Sequence, residues 1–306
     1  MSIGWVAGTA RARAMTARRL GREGARRLAM SGSMAAALQT LASGPYAGRV
    51  HEHDSLEAAQ RGAVAAALWN CRVLAGWVPR DGVTMLRVLA GAVEAANVVD
   101  HVRHLAGADV PAPLPLGALA TSWSRMAVAT SVEDVRRTLG ASPWGDPGST
   151  NAAEIATALR LSLADRVVAA VPDARTWASG SVALLLARNM AQHTPLSPTA
   201  IRSAGRVLGS AAAGATTIEG LRAALPTTAR WALDDVTDLA ELWRAEGRWW
   251  ARVDEEATRL TRGAAPGPAV LLGAVTMLAV DAWRVRAALE VAARGPLAME
   301  VFDEVA

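Results

Sequence analysis

Two histidines on one predicted helix are the nearest approach to a metal site in this sequence. His101 and His104 lie three residues apart, beside Asp100. Imidazoles with this spacing share one helix face and can bind the same metal ion. A complete site needs further ligands, and no other histidines have comparable helical spacing. We therefore favour structural or solvated histidines and predict no metal site.

Four acidic residues, Asp234, Asp235, Asp238 and Glu241, come at the predicted start of a long helix. Carboxylates in this position stabilise the helix dipole, which is the interpretation that we favour. Docking to a basic partner is the first alternative. Catalysis by paired carboxylates is the second alternative. We favour it least, because general acid chemistry needs a carboxyl group of raised pKa, and the sequence does not indicate one.

Lysine is absent, since all 32 basic residues are arginine. This absence removes the P-loop lysine, the kinase lysine and any Schiff-base lysine. The motif from Gly205 to Gly209 lacks the preceding strand that a dinucleotide site requires. We predict no catalytic residue and no cofactor.

The composition predicts an all-α protein. Alanine, leucine and arginine dominate the 306 residues, and 52% of the residues are hydrophobic, enough for a sizeable core.

The single cysteine, Cys71, fits a reducing cytoplasm. The longest uncharged apolar stretch, Pro268 to Val280, is about 13 residues, whereas a membrane span needs about 20. We expect no membrane span.

Helix signals divide the chain into short and long helices. Capping patterns occur at Ser131, at Ser197 with Pro198, and at Thr216. Glycine and proline breakers separate long predicted helices over about 55–77, 82–106, 151–171, 174–193, 234–262 and 267–293.

A short helix followed by an aromatic residue recurs along the chain. It runs from Met34 to Tyr46, from Val132 to Trp144 and, more weakly, from Ile218 to Trp231, with offsets of 98 and about 86 residues. Long helices carry a second marker at Asn97, Asn189 and Arg284, separated by 92 and 95 residues. Two markers with one period favour three structural repeats over chance similarity among alanine-rich helices.

The order of these motifs resembles the C/d family of rotor subunits, named C in archaeal A-type ATPases and d in eukaryotic V-type ATPases. The matching residues are Trp5, the segment Ala10 to Met15, Leu20, Leu41 to Gly48, Glu94, Asn97, Arg103, Leu114 to Gly117, Ser131 to Trp144, Asp281, Arg284, Arg286 and Gly295. The sequence departs from the family in its last helix, where an asparagine of the family is replaced. Residues 145–215 match only in helical outline.

The resemblance implies a funnel of three helical modules around a pseudo-threefold axis, with repeats at roughly 5–105, 106–194 and 195–306. Such a protein is cytoplasmic and peripheral to the plasma membrane. It caps the membrane rotor ring, receives the central axle, and couples proton or sodium transport to ATP hydrolysis or synthesis without catalysing either.

Five residues on the repeated helices are the partner-binding candidates under this resemblance: Arg103, Arg188, Asp281, Arg284 and Arg286. Ordinary surface exposure or intramolecular pairing is the alternative for the arginines. A different function also stays open, an all-helical scaffold that binds nucleic acid or an acidic protein. Its evidence is the basic N-terminal segment, with Arg11, Arg13, Arg18, Arg19, Arg22, Arg26 and Arg27.

Overall fold

A computed structural model describes residues 3–295, 299, 302 and 303. The described part of the chain contains α-helices and short 3-10 turns and no β-strand, which confirms the all-α prediction. In chain order the helices are α1 (Ile3–Thr16), α2 (Gly21–Ala29), α3 (Met34–Ala42), α4 (Leu56–Ala75), α5 (Arg80–Leu89), α6 (Gly91–Leu105), α7 (Trp123–Met126), α8 (Val132–Gly140), α9 (Ala152–Ala170), α10 (Arg175–Ala191), α11 (Pro198–Leu208), α12 (Ser210–Ala213), α13 (Ile218–Ala224), α14 (Thr227–Arg230), α15 (Leu242–Thr261) and α16 (Pro268–Arg294).

Side-chain caps fix most of the predicted helix starts. The Ser131 hydroxyl accepts a hydrogen bond from the Asp134 backbone N–H, and Ser197 does the same for Ala200. Both predicted caps are therefore confirmed. In the third pattern the cap is Thr217 rather than Thr216, so α13 begins one residue later than predicted.

Two long helices differ from prediction. The segment predicted over 82–106 is bent by 43° between α5 and α6. The bend precedes Gly91, where an added Cβ would lie 2.8 Å from the Leu163 side chain. The helix predicted over 234–262 begins only at Leu242, because the Asp238 carboxylate accepts from the Ala240 N–H and caps a 3-10 turn first.

The chain forms two compact units. The first contains residues 1–82 and 250–306, and the second contains residues 83–249. In the first unit α16 packs against α1, α2, α3 and α4. In the second unit α9 packs against α6, α10 and α11. The three predicted repeats remain a prediction.

Helix α16 is long and apolar enough to cross a membrane by length and composition alone. From the uncharged stretch of about 13 residues alone, the sequence predicts no span. The helix itself has 27 residues, because it continues through Asp281 and Arg284. However, 72% of its most apolar window is buried inside the protein. The central helix of a packed core has the same properties as a span.

Cys71 provides a test of the packing of α4. Burial raises the pKa of its thiol to about 12, and the thiolate is the reactive form. We expect the native protein to react with a disulfide reagent at neutral pH about a thousandfold more slowly than an ordinary thiol of pKa near 8.5. Reaction with Ellman's reagent, followed with and without denaturant, measures this difference. Equal rates in the two conditions would contradict the buried position.

Candidate functional site

Asp281 is a buried carboxylate near the middle of α16. Its Oδ1 accepts from the Gly21 N–H at 2.6 Å, and its Oδ2 accepts from the Leu20 N–H at 3.1 Å. The Tyr46 hydroxyl donates to Oδ2 at 2.8 Å. We call these four residues the Asp281 cap. They hold the start of α2 and the turn after α3 against α16.

The chemistry of the Asp281 cap follows from the start of α2. Leu20, the residue before α2, supplies no side-chain hydrogen bond to the helix. The free N–H groups of a helix N-terminus attract an anion, and Asp281 accepts from two backbone N–H groups at this end, up to 261 residues away in the chain. Burial raises the pKa of Tyr46, and the Asp281 carboxylate raises it further. Tyr46 therefore stays protonated and keeps donating.

Glu94 forms a similar arrangement in the second unit. The fully buried carboxylate on α6 accepts from the Thr121 N–H at 2.6 Å and from the Ser122 N–H at 2.7 Å, just before α7. The indole N–H of Trp144 donates to it at 3.2 Å. We call this group the Glu94 cap.

The two caps occupy matching places in the repeated pattern. Each joins a carboxylate on a long helix, two consecutive backbone N–H groups at the start of another helix, and the aromatic residue that follows a Ser-capped short helix. Tyr46 and Trp144 are separated by the same 98 residues that relate the short helices. The sequence markers thus coincide with contacts of one kind.

The third copy of the pattern lacks the carboxylate. Leu186 on α10 lies three residues before the marker Asn189, as Glu94 does before Asn97 and Asp281 before Arg284. Its side chain is buried in an apolar cluster. The Trp231 indole N–H donates instead to the Thr228 carbonyl, 2.9 Å away in the same turn. Hydrophobic packing replaces the carboxylate cap there.

The second sequence marker also makes specific contacts. The Asn97 amide donates to the Leu114 carbonyl at 2.8 Å and accepts from the Leu114 N–H at 2.9 Å. Leu114 begins the Leu-Pro-Leu-Gly segment that carried part of the family resemblance. Asn189 donates to the Leu185 carbonyl of its own helix. The first of these contacts secures an irregular segment to α6.

The five candidate partner-binding residues lie in different environments. Asp281 belongs to the buried cap described above. Arg284 is also buried and donates to Asp254 at 2.8 Å. Arg188 pairs with Glu246. Arg103 is exposed, 3.7 Å from Asp100, and Arg286 is exposed on α16.

The candidate metal ligands do not form a cluster. His101 hydrogen-bonds the Ala129 carbonyl at 3.1 Å and packs edge-on against Trp123, whereas His104 is exposed. Among the residues that the structure describes, no group of three histidine, cysteine or carboxylate side chains could hold a metal ion.

Four arginines surround an open cleft of about 810 Å³ in the first unit. Arg11 belongs to α1, Arg18 and Arg19 follow it, and Arg49 comes from the turn after Tyr46. Trp69 and Asn70 of α4 line another side of the cleft, and Tyr46 and Asp281 reach its wall. The arrangement can bind an anion through several guanidinium groups.

No protein-family model matches this chain, and a search of curated proteins finds no relative.

Sequence reasoning finds part of this site. The Arg-rich start indicates a basic surface, but Arg13, Arg26 and Arg27 have partners elsewhere: Arg13 donates to the carbonyls of Thr261 and Gly263, Arg26 pairs with Asp303, and Arg27 pairs with Glu23. It misses Arg49 and Trp69, because only the packing of α4 brings them together. The caps do have a signal in the sequence. Tyr46 and Trp144 recur 98 residues apart, and two of the long helices of the repeated pattern carry an acid, Glu94 and Asp281.

Proposed function

We propose that this chain is a non-catalytic rotor subunit of a V-type or A-type ATPase. In this role it caps the membrane rotor ring and holds the foot of the central axle, so that torque passes between ATP chemistry and proton or sodium transport. It would act on the cytoplasmic face of the membrane and require no cofactor.

The observation that carries the proposal is the pair of matching carboxylate caps. Each lies in the part of the chain where the family resemblance repeats its helix and turn motif. Equivalent contacts at equivalent spacing support descent of the modules from a common unit, as a pseudo-threefold funnel requires. The third copy, with its apolar contacts, supports a diverged module.

The caps also suit a mechanical role. A hydrogen bond to a charged group contributes about 1.5–3 kcal/mol, and each cap contains three such bonds. They join a long helix to the start of a second helix and to a turn. A torque-transmitting protein needs connections of this kind, which resist shear between its helices.

Co-purification tests the proposal. We expect the tagged chain, expressed with the rotor ring and axle of the same genome, to retain both, and to show no ATPase activity when purified alone. Arg286→Glu, which reverses an exposed candidate contact, should reduce the retention. Arg202→Glu, an exposed change on α11, is the matched control and should not. A chain that retains neither ring nor axle, under conditions that preserve an intact complex, would refute the proposal.

A further inference from the structure

In the part of the first unit that the structure describes, the basic cleft has more positive charge than its surroundings balance. Among the described residues, no carboxylate lies within 4 Å of the guanidinium groups of Arg11, Arg18, Arg19 or Arg49, although other exposed arginines nearby, such as Arg26 and Arg27, have acidic partners. Guanidinium groups keep their charge at any physiological pH. They therefore repel one another when the cleft is empty.

Asp281 is the one acid among the described residues that line the cleft, and it does not offset this charge freely. Its oxygens already accept from two backbone N–H groups and the Tyr46 hydroxyl. These donors fix the Asp281 carboxylate in the wall of the cleft, and they offset part of its negative charge. It cannot rotate out to pair with an arginine without leaving the buried Tyr46 hydroxyl and two part-buried N–H groups without their acceptor.

Two of the arginines are held in place by their own helix end. Arg18 donates through Nε to the Ala14 carbonyl at 3.3 Å, and Arg19 donates to the Thr16 carbonyl at 2.8 Å. Each of these bonds uses one of five guanidinium N–H groups. Their other donors have no protein acceptor within hydrogen-bond distance in the described part of the chain.

An exposed aromatic ring completes the cleft. Trp69 is 45% exposed, high for a tryptophan. The Arg49 guanidinium lies 4.7 Å from its ring centroid, and that of Arg72 lies 5.5 Å away. The attraction between a guanidinium group and an aromatic ring holds Arg49 beside Trp69. The ring also offers an apolar surface next to the basic groups.

We propose that this cleft binds a phosphate group, as a free phosphate compound or as a lipid headgroup. Four guanidinium groups call for a ligand with more than one negative charge and several acceptor oxygens. A phosphate meets both needs, and arginine binds it in bidentate geometry. The volume of about 810 Å³ suits a small molecule. The exposed part of Trp69 would contact the substituent that the phosphate carries.

This inference does not depend on the proposed rotor function, and a phosphate titration tests it separately. We expect pyrophosphate, and more weakly inorganic phosphate, to give saturable heat in calorimetry at fixed ionic strength, whereas sodium chloride gives none. Arg19→Gln and Arg49→Gln should each weaken pyrophosphate binding by about ten- to hundredfold, the effect of losing one charge-assisted hydrogen bond. Arg137→Gln, an exposed change in the second unit, is the control and should bind normally.

A vesicle experiment then separates the two sources of phosphate. The protein is sedimented with phosphatidylcholine vesicles with or without phosphatidic acid. Binding that needs phosphatidic acid and is lost in Arg49→Gln would indicate a headgroup; calorimetric binding without vesicle binding would indicate a soluble phosphate compound. Absence of saturable phosphate and pyrophosphate binding would overturn the proposal. Binding that falls equally in Arg137→Gln, or binding of single-stranded nucleic acid alone, would overturn it as well.

Discussion

Replacing Asp281 by alanine is expected to lower the free energy of unfolding by about 3–5 kcal/mol. The change leaves the Tyr46 hydroxyl and the N–H groups of Leu20 and Gly21 without their acceptor. An unsatisfied buried donor costs about 1–3 kcal/mol, and water that enters the space recovers part of this loss. Urea unfolding followed by circular dichroism measures the change.

Hydrogen exchange makes the Asp281 test specific. The Leu20 and Gly21 amides should lose protection in Asp281→Ala, because their acceptor is gone, whereas amides in the second unit should keep theirs. Tyr46→Phe removes one donor from the same cap and should cost about 1 kcal/mol. Asp303→Asn changes an exposed acid of the same unit and should stay within about 0.5 kcal/mol. Unchanged protection at Leu20 and Gly21 would contradict the cap.

Gly62→Ala is expected to destabilise the first unit at the upper end of the roughly 1–3 kcal/mol range for overpacking. A Cβ at Gly62 would lie 2.2 Å from the Arg49 carbonyl oxygen and 2.9 Å from the Val50 side chain. Backbone atoms cannot rotate away as a flexible side chain can. Either α4 or the turn that carries Arg49 must shift, so phosphate affinity should fall together with stability.

Gly205→Ala provides the matched control for this substitution. Gly205 also lies inside a helix, α11, but an added Cβ would meet only Ala213 and Ser210 atoms at 3.8 and 3.9 Å. Alanine is favoured over glycine inside a helix by about 1 kcal/mol, so we expect equal or greater stability. Thermal unfolding of both variants decides the matter. A Gly62→Ala protein as stable as Gly205→Ala would contradict the close approach of α4 to the Arg49 turn.

The sequence is sufficient for those features that depend on neighbouring residues. Ser131 and Ser197 act on residues three positions away, so their sequence patterns predict both caps. The period of the short helices also marks the two aromatic donors, Tyr46 and Trp144. Such features are local or repeated, and pattern reasoning detects both.

Features that depend on distant contacts are not predictable in the same way. The family resemblance suggests a partner-binding role for Asp281, which is one of the residues matched on the last long helix. The hydrogen-bond partners that the structure shows for it within the chain lie up to 261 residues away, and no local pattern connects them. The same reason applies to Arg284, which is buried against Asp254 on a different helix.

The distance spanned by each carboxylate cap has a consequence for synthesis of the chain. All residues of the Glu94 cap have left the ribosome soon after Trp144 is made. The start of α2 must wait for Asp281, which is translated 260 residues after Gly21. Domains fold as their residues emerge, and late long-range contacts slow folding. We therefore expect the second unit, whose residues lie between the two segments of the first in the sequence, to fold first. The N-terminal helices can complete their packing only after α16 has been made.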